Sequence, residues 1–404
     1  TGELHEWRGD FTPRFNRLET GDFTIDADDP LRVFLDAPGA RVRCLYGDEQ
    51  QVSGPVQFVE GSLTPDGEVT YSVEGDWRLL QNTLVWVLPD GNLTPVSLSD
   101  EAQGIGGRAH YIFPLGVDSA EHVIKHLITV NAVTRLGRPV TVLPNLNRGG
   151  NARAAGMLPE ARFSTLEEAV ADVLAWSGLG LRIWHDGVTP GLLVDVYEPT
   201  VWGVPLSVES GVIEPDGKFS TAAPDATRLI LGGPGEESAR IFWSVADTAL
   251  EDEWSDVVEV FRDATGAQLE WPDGLAQEEQ IPRTFLHRPD VPQAAKNDLI
   301  GYLNAAGRKG LEEGAPTAGL SLQLAETETF HYGGPTGVHL GDVLPVTVSG
   351  VPFQDHITEV TIAWGPEGCT VTPQLGQRTD DPDEQLAEDL ARVQANQRRA
   401  AAER

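Results

Sequence analysis

Two cysteines, one methionine and four lysines in 404 residues set the first limits. Cys44 and Cys369 lie in separate strand-like runs, "RVRCLY" and "CTVTPQL". Two thiols make neither a disulfide framework nor a zinc site, and a reducing compartment is the simpler reading. Lysine occurs only at 125, 218, 296 and 309, so arginine carries nearly all the positive charge. That bias fits GC-rich coding, as in an actinobacterial host. Positive charge is itself scarce: 29 Lys and Arg face 62 Asp and Glu, a formal net charge of -33. Such a field repels nucleic-acid phosphate and anionic membranes. No apolar run approaches the roughly 18 residues of a membrane span. The opening "TGELHEWRGD" has neither the basic start nor the apolar run of a signal peptide.

What is plentiful is punctuation. The 43 glycines and 28 prolines predict many turns, hence many short strands. With 40% hydrophobic and 23% charged residues the composition is globular. A chain this long predicts roughly two to four domains. Over 23–113, "LRVFLD", "ARVRCLY", "QQVSGPVQFVEG", "EVTYSVEG" and "TLVWVLP" read as strands separated by turns such as Pro38-Gly39. The period then changes. "DSAEHVIKHLITVNAV" predicts a helix capped at Asp118 with Glu121 three residues on, and Val123, Leu127 and Val130 on one stripe. "FSTLEEAVADVLAWSGLG" predicts a second, with a capping box at Ser164 and Glu167, a stripe of Leu166, Val170, Val173 and Leu174, and Gly178 as left-handed cap. "LRIWHDG" and "GLLVDVYEP" read as a hairpin. A further helix begins near Pro292, with Ala295, Leu299, Leu303 and Ala306 as its stripe. Strands return after Gly314-Ala315-Pro316.

The expected fold is α+β and mainly β. It has a first antiparallel β-barrel (1–113), an α/β domain (114–212), a second barrel (213–250 and 317–378), a small inserted α/β piece (251–316) and a C-terminal helical tail (379–404). In the tail Leu386, Leu390 and Val393 are spaced i, i+4, i+7, a candidate partner-docking face, with solvated disorder as the alternative.

Catalytic patterns are incomplete. "RLILGGPGEESARIFWSV" (228–245) places glycines after an apolar strand, as nucleotide loops do. It has no P-loop lysine, and Ser238 stands where a dinucleotide loop needs its last glycine. Glu236 and Glu237 would oppose a phosphate, and strand rather than helix follows. A hairpin opening the second barrel is expected, with Gly232, Gly233 and Gly235 serving backbone geometry. "GIGG" (104–107) reads as a turn. His122 and His126 have i, i+4 metal spacing, but no third ligand is evident and Lys125 lies between them. "DADDPL" lacks the glycine and distal glutamate of a calcium loop. The pairs Asp26/Asp28 and Glu259/Asp263 do not single out an acid and base, and Ser53-Gly54 is no nucleophile elbow. No cofactor or metal is expected.

Several segments together resemble a known family. "LRVFLDAPGARVRCLYGDEQQVSGPVQFVE" followed by "VTYSVEGDWRLLQNTLVWVLP" is similar to the start of tail-tip hub proteins. These are minor tail proteins of long-tailed actinobacterial phages, akin to the N-terminal part of tail-associated lysins. Pro38, Gly39, Ser53, Gly54, Val56, Gly75, Asp76, Leu79 and Leu80 carry that pattern. The two helices, the 227–240 segment and the "LGD" at Leu340, Gly341 and Asp342 add to it. The likeness covers roughly residues 15–378.

The resemblance implies a fold like the central hub of contractile-phage baseplates. It also implies a homotrimeric ring around the DNA channel that joins the six-fold tail to three-fold tip proteins. The implied partners are a distal tail protein, the tape measure protein and tip or receptor-binding proteins. Genome DNA would pass without specific binding, and host-surface contact would be indirect. The implied location is the distal end of the virion tail, after assembly in the bacterial cytoplasm. The family often continues into a lysin; here a short helical tail follows, so no enzyme is expected. The alternatives are a tail-associated cell-wall hydrolase and a carbohydrate-binding adhesin.

Overall fold

The computed structural model describes residues 7–47, 49–62, 67–89, 110–207, 211–213, 218–221, 223–265, 269, 271–272, 274–276, 279–315, 318–327, 330–348, 351–365 and 368–376. The chain divides into two compact units, Thr1–Phe219 with Gly319–Arg404, and Ser220–Ala318.

The strands, in chain order, are β1 Arg8–Thr12, β2 Thr20–Asp26, β3 Arg41–Tyr46, β4 Glu49–Gly61, β5 Glu68–Glu74, β6 Val140–Val142, β7 Gly180–Trp184, β8 Leu192–Tyr197, β9 Leu206–Ser207, β10 Lys218–Thr221, β11 Arg228–Gly232, β12 Phe242–Ala246, β13 Glu259–Asp263, β14 Ala318–Gln323, β15 Val343–Val348, β16 Val351–Gly365 and β17 Gly368–Leu375. Eleven of them form one sheet, in the order β10-β14-β17-β16-β1-β2-β5-β4-β3, with β15 on β16 and β9 on β15.

Alternation decides which faces are buried. In β2 and β5, Phe23 and Ile25 turn inward with Val69, Tyr71 and Val73. Phe11, Phe23 and Tyr71 stack across β1, β2 and β5 with ring centroids 6.2 and 5.3 Å apart. Gly21, opposite Phe11, leaves room for its ring: a Cβ there would stand 2.2 Å from it. These residues, with Cys44 and Val52, make one core. A second core gathers Leu322, Phe330, Leu344, Val346, Ile357, Val360 and Leu375 around β15, β16 and β17.

The mainly β, α+β character holds, but two separate barrels do not. Among the described residues no ring of strand pairings closes, and one continuous sheet joins the two β regions. The reason is the length of β16. Its first part pairs with β15; beyond an irregularity at Ile357/Glu359 it pairs with β17, and its other edge takes β1, Gly9 opposite Trp364 and Phe11 opposite Ile362. Local periodicity does not say which edge a strand will find.

Two segments expected as strands differ. Arg32–Leu35 is one helical turn, with Val33 and Phe34 exposed, so the run "LRVFLD" buries no alternating face. Residues 83–89 contribute a single bridge, Leu84 to Thr165.

The α/β region has a third core around the helices Ala120–Ile128 and Leu166–Ser177 and the sheet β6-β8-β7. Both N-caps lie one residue later than expected. Ser119 caps the first helix and Thr165 the second, with Glu168 completing the box. Glu121 and Glu167 are thereby freed for other partners. The predicted stripe Leu166, Val170, Val173 and Leu174 is buried, and Gly178 takes φ 65°. The first helix runs on as a π-helix, Thr129–Arg135.

In the unit Ser220–Ala318, β12-β11-β13 form their own sheet, β13 parallel to β11. The helix Gln293–Glu313 covers one face. Gly307 and Gly310 permit its close approach, since a Cβ would lie 2.4 Å from Val245 and 2.3 Å from Leu229. Leu229, Leu231, Phe285, Ala295, Leu299 and Leu303 form this unit's core. The 228–246 hairpin therefore opens a three-stranded sheet, not a second barrel. Its strand β11 finds its other neighbour in β13.

Candidate functional site

The glycine loop joins β11 to β12 around a protein cation. Arg240 donates to Gly232 O at 2.8 Å and Gly233 O at 3.1 Å, pairs with Asp263 and lies 5.6 Å over the Phe261 ring. Its centre is lined by carbonyl oxygens, the opposite of the N–H cradle a phosphate needs. Gly235 supplies the positive φ, +109°. Gly232 serves another purpose: a Cβ there would stand 2.5 Å from Arg240 Cζ. Gly233 would meet only contacts of 3.4 Å or more.

The helix bearing His122 and His126 holds a different site. His126 Nε2 meets Tyr111 Oη at 2.7 Å, and burial, then the charge of His122, lowers its basicity. Among the described residues no cluster of three His, Cys, Asp or Glu could hold a metal ion. The intervening residues form a buried ion network instead. Lys125 Nζ donates to Glu121 Oε1 (2.7 Å), Asp195 Oδ1 (2.7 Å) and Pro144 O (2.9 Å), which uses all three protons. Glu121, fully buried, also accepts from Arg148 Nη2 (3.0 Å) and Nε (3.2 Å) and from the backbone N–H of Arg148 (2.9 Å) and Leu146 (3.1 Å). Burial pushes its carboxyl up. The bonds from Arg148 and Lys125, then from the two backbone N–H groups, pull it further down, to about 2. Each charge is compensated within the chain, which suits a joint rather than a reacting group.

The motif residues also meet in space. Ser53 Oγ donates to Asp76 Oδ2 at 2.5 Å and accepts from His185 N at 3.0 Å, and Arg41 pairs with Asp76. A Cβ on Gly54 would fall 1.9 Å from Glu74 O, and one on Gly75 would fall 2.1 Å from Glu19 Oε2. Burial, with the charge of Asp76 adding to it, raises the Glu19 carboxyl to about 8 against its backbone hydrogen bonds. Pro38 and Gly39 form a turn closed by Ala40 N to Ala37 O at 3.0 Å, Gly39 at φ +79°.

The Leu340-Gly341-Asp342 turn ties three segments together. Asp342 accepts from Thr200 N (2.9 Å) and His339 N (2.8 Å), and Gly341 N donates to Ile357 O (2.8 Å). Gly341 has φ +88°, and a Cβ there would stand 2.5 Å from the Phe15 ring. His339 lies 3.7 Å from Asp342 and 3.5 Å from Glu49. Its basicity is raised by the bond to Asp342, against burial, with Glu49 adding to it. The closed Glu121 network was missed by sequence reasoning, although Lys125 as one of four lysines was a signal.

The remaining positions separate. Asp26 ends β2, and Glu259 and Asp263 lie at opposite ends of β13, with Asp263 paired to Arg240. Trp254 and Trp364 are the exposed tryptophans, and neither lies in a loop. Leu386, Leu390, Val393 and the "GIGG" at 104–107 lie outside the described residues. No described helix is long and apolar enough to cross a membrane. What stands out is a set of locked joints built on the resemblance motifs.

Residues 1–377 match the family of Siphovirus ReqiPepy6 Gp37-like proteins. The chain belongs to that family. The Gp37-like match includes all three joints and the glycine loop. Similar solved structures include the 43 kDa tail protein of prophage MuSo2 from Shewanella oneidensis, at 11% identity and TM-score 0.49, covering 93% of this chain and 95% of that one. A tail protein from Neisseria meningitidis MC58 has 11% identity and TM-score 0.48, covering 93% and 94%. Prophage tail protein gp18 of Listeria monocytogenes EGD-e has 9% identity and TM-score 0.44, covering 97% and 95%. No curated protein matches the chain.

Proposed function

We propose that this Gp37-like chain is a structural component of the phage tail tip, a homotrimeric hub ringing the DNA channel. The observation that carries the reading is membership of a siphovirus family over residues 1–377. The order of its hub-like motifs supports it. Three copies of two strand-rich regions would supply six similar elements, so one ring could meet a six-fold tube on one side and three-fold tip proteins on the other. Its neighbours would be the distal tail protein, the tape measure protein and tip or receptor-binding proteins.

The charge has a role in this reading. A net charge of -33 offers passing DNA few phosphate contacts, so the genome slides through without being held. Electron microscopy of the virion with a tag on this chain tests the proposal. Density for three copies around the channel at the distal end of the tail is expected. A location elsewhere in the particle, or acids confined to the outer face of the ring, would overturn it. A zymogram on host cell walls that shows clearing by the purified chain would favour a hydrolase instead.

A further inference from the structure

Acids outnumber bases more than two to one in this chain. Among the described residues, three arginines around Trp86 and the Phe163 that packs on it nevertheless have no carboxylate partner. Arg135, at the end of the π-helix, donates through Nη2 to Leu84 O at 2.8 Å, and its guanidinium lies 5.4 Å over the Trp86 ring. Arg138 donates to Asn82 O at 2.8 Å. Trp86 is held in place. Phe163 packs edge-on against it with ring centroids 4.7 Å apart, and the backbone N–H of Trp86 donates to Asn131 Oδ1 at 2.8 Å. Residues 84–86 run antiparallel to 163–165, through Phe163 N to Val85 O at 2.9 Å and Val85 N to Ser164 O at 2.8 Å. Phe163 takes φ 54° where this pairing ends, and Arg162 directly precedes it in the chain.

The Nε atoms of Arg135 and Arg162 are both buried and donate to nothing. A buried guanidinium N–H without an acceptor is costly, and a bond to one neutral carbonyl does not neutralise the charge. Burial lowers the basicity of Arg135 and Arg138, and Arg138 adds to the effect on Arg135. Beside them Leu84 and Leu136 are 42% and 39% exposed. The arrangement combines forked donors, an aromatic backing and an apolar rim, which matches carboxylates set among apolar side chains.

We propose that Arg135, Arg138, Arg162 and Trp86 form a docking site for an acidic segment of a partner protein. The segment's carboxylates meet the guanidinium groups, and its apolar side chains cover Leu84 and Leu136. The net charge selects against the other polyanion: a nucleic acid is repelled along its whole length, a short peptide far less. The site stands whether or not the chain forms a ring.

Fluorescence anisotropy of a labelled peptide, EELLEELLEE, with the full-length chain tests it. The wild type binds the peptide, and the double variant R135Q/R162Q binds at least about tenfold more weakly, as loss of charge-assisted bonds requires. Separately, Arg162→Met leaves the Tm within about 2 °C of wild type or raises it, because no group in the chain loses a partner. Three results would overturn the proposal. One is absence of peptide binding up to about 1 mM. Another is equal binding by R135Q/R162Q. The third is displacement of the peptide by inorganic phosphate or a DNA duplex at equal concentration. A marked fall in Tm for Arg162→Met would make that arginine structural and remove it from the site.

Discussion

The Glu121–Lys125–Asp195–Arg148 network allows a quantitative test. Glu121→Gln keeps the size of the side chain and removes its charge. Lys125 then retains Asp195, but Arg148 loses its two bonds to an ionised oxygen pair. Breaking one partner of a buried ion pair costs about 3–5 kcal/mol, since the remaining charge stays desolvated. The lowered carboxyl of Glu121 points the same way. The folded value, about 2, lies below the ordinary 4.5. The unfolded chain therefore binds the proton more readily. The stabilisation is fully present above about pH 4.5 and is lost as pH falls through that value toward 2. A gap of that size corresponds to about 3 kcal/mol at neutral pH. The two routes agree, and at about 2–4 °C per kcal/mol for a unit of this size they predict a fall in Tm of roughly 10 °C. Differential scanning calorimetry at pH 7 and pH 3 is the assay. E121Q should melt well below wild type at pH 7, with the difference shrinking at pH 3. An unchanged Tm at pH 7, or a difference independent of pH, would refute the reasoning.

Gly341→Ala forces a Cβ into the Phe15 ring at φ +88°. It should cost about 2–4 kcal/mol, read as a lower denaturant midpoint. Gly235→Ala, with a Cβ 2.7 Å from Ala239 O at φ +109°, should destabilise the Ser220–Ala318 unit, read as faster amide exchange in β11 and β12. His339 has its basicity raised by Asp342 and Glu49. Its contribution is therefore present below about pH 6.5 and lost as the pH rises through the folded value. His339→Gln should flatten that part of the stability curve, and an unchanged slope would count against the pairing.

Helical periodicity was the most legible part of the sequence. Leu166, Val170, Val173 and Leu174 are buried as their spacing requires, and Gly178 ends that helix in the left-handed region. Caps were legible only to within a residue, because Ser164 and Thr165 offer the same hydroxyl and Glu167 and Glu168 the same carboxylate. Local reading misassigned "LRVFLD", where apolar residues run together without alternation and close as one helical turn. It could not foresee that β1 pairs with β16, since edge choice depends on residues some 350 positions away. The joints were half visible. Ser53 and Asp76 belong to the resemblance pattern, but the bond between them and the Arg41 that shares the Asp76 carboxylate do not follow from it.

The pairing of β1 with β16 has a consequence for biosynthesis. Arg8–Thr12 leaves the ribosome some 350 residues before one of its two neighbours, at 362–364. At about 5–20 residues per second the nascent chain holds that edge open for roughly 20–70 s. An unpaired edge invites strand addition from other chains. During that interval the seam is incomplete, and it closes only when β16 arrives. Truncated or stalled products would carry the open edge permanently and would aggregate rather than assemble.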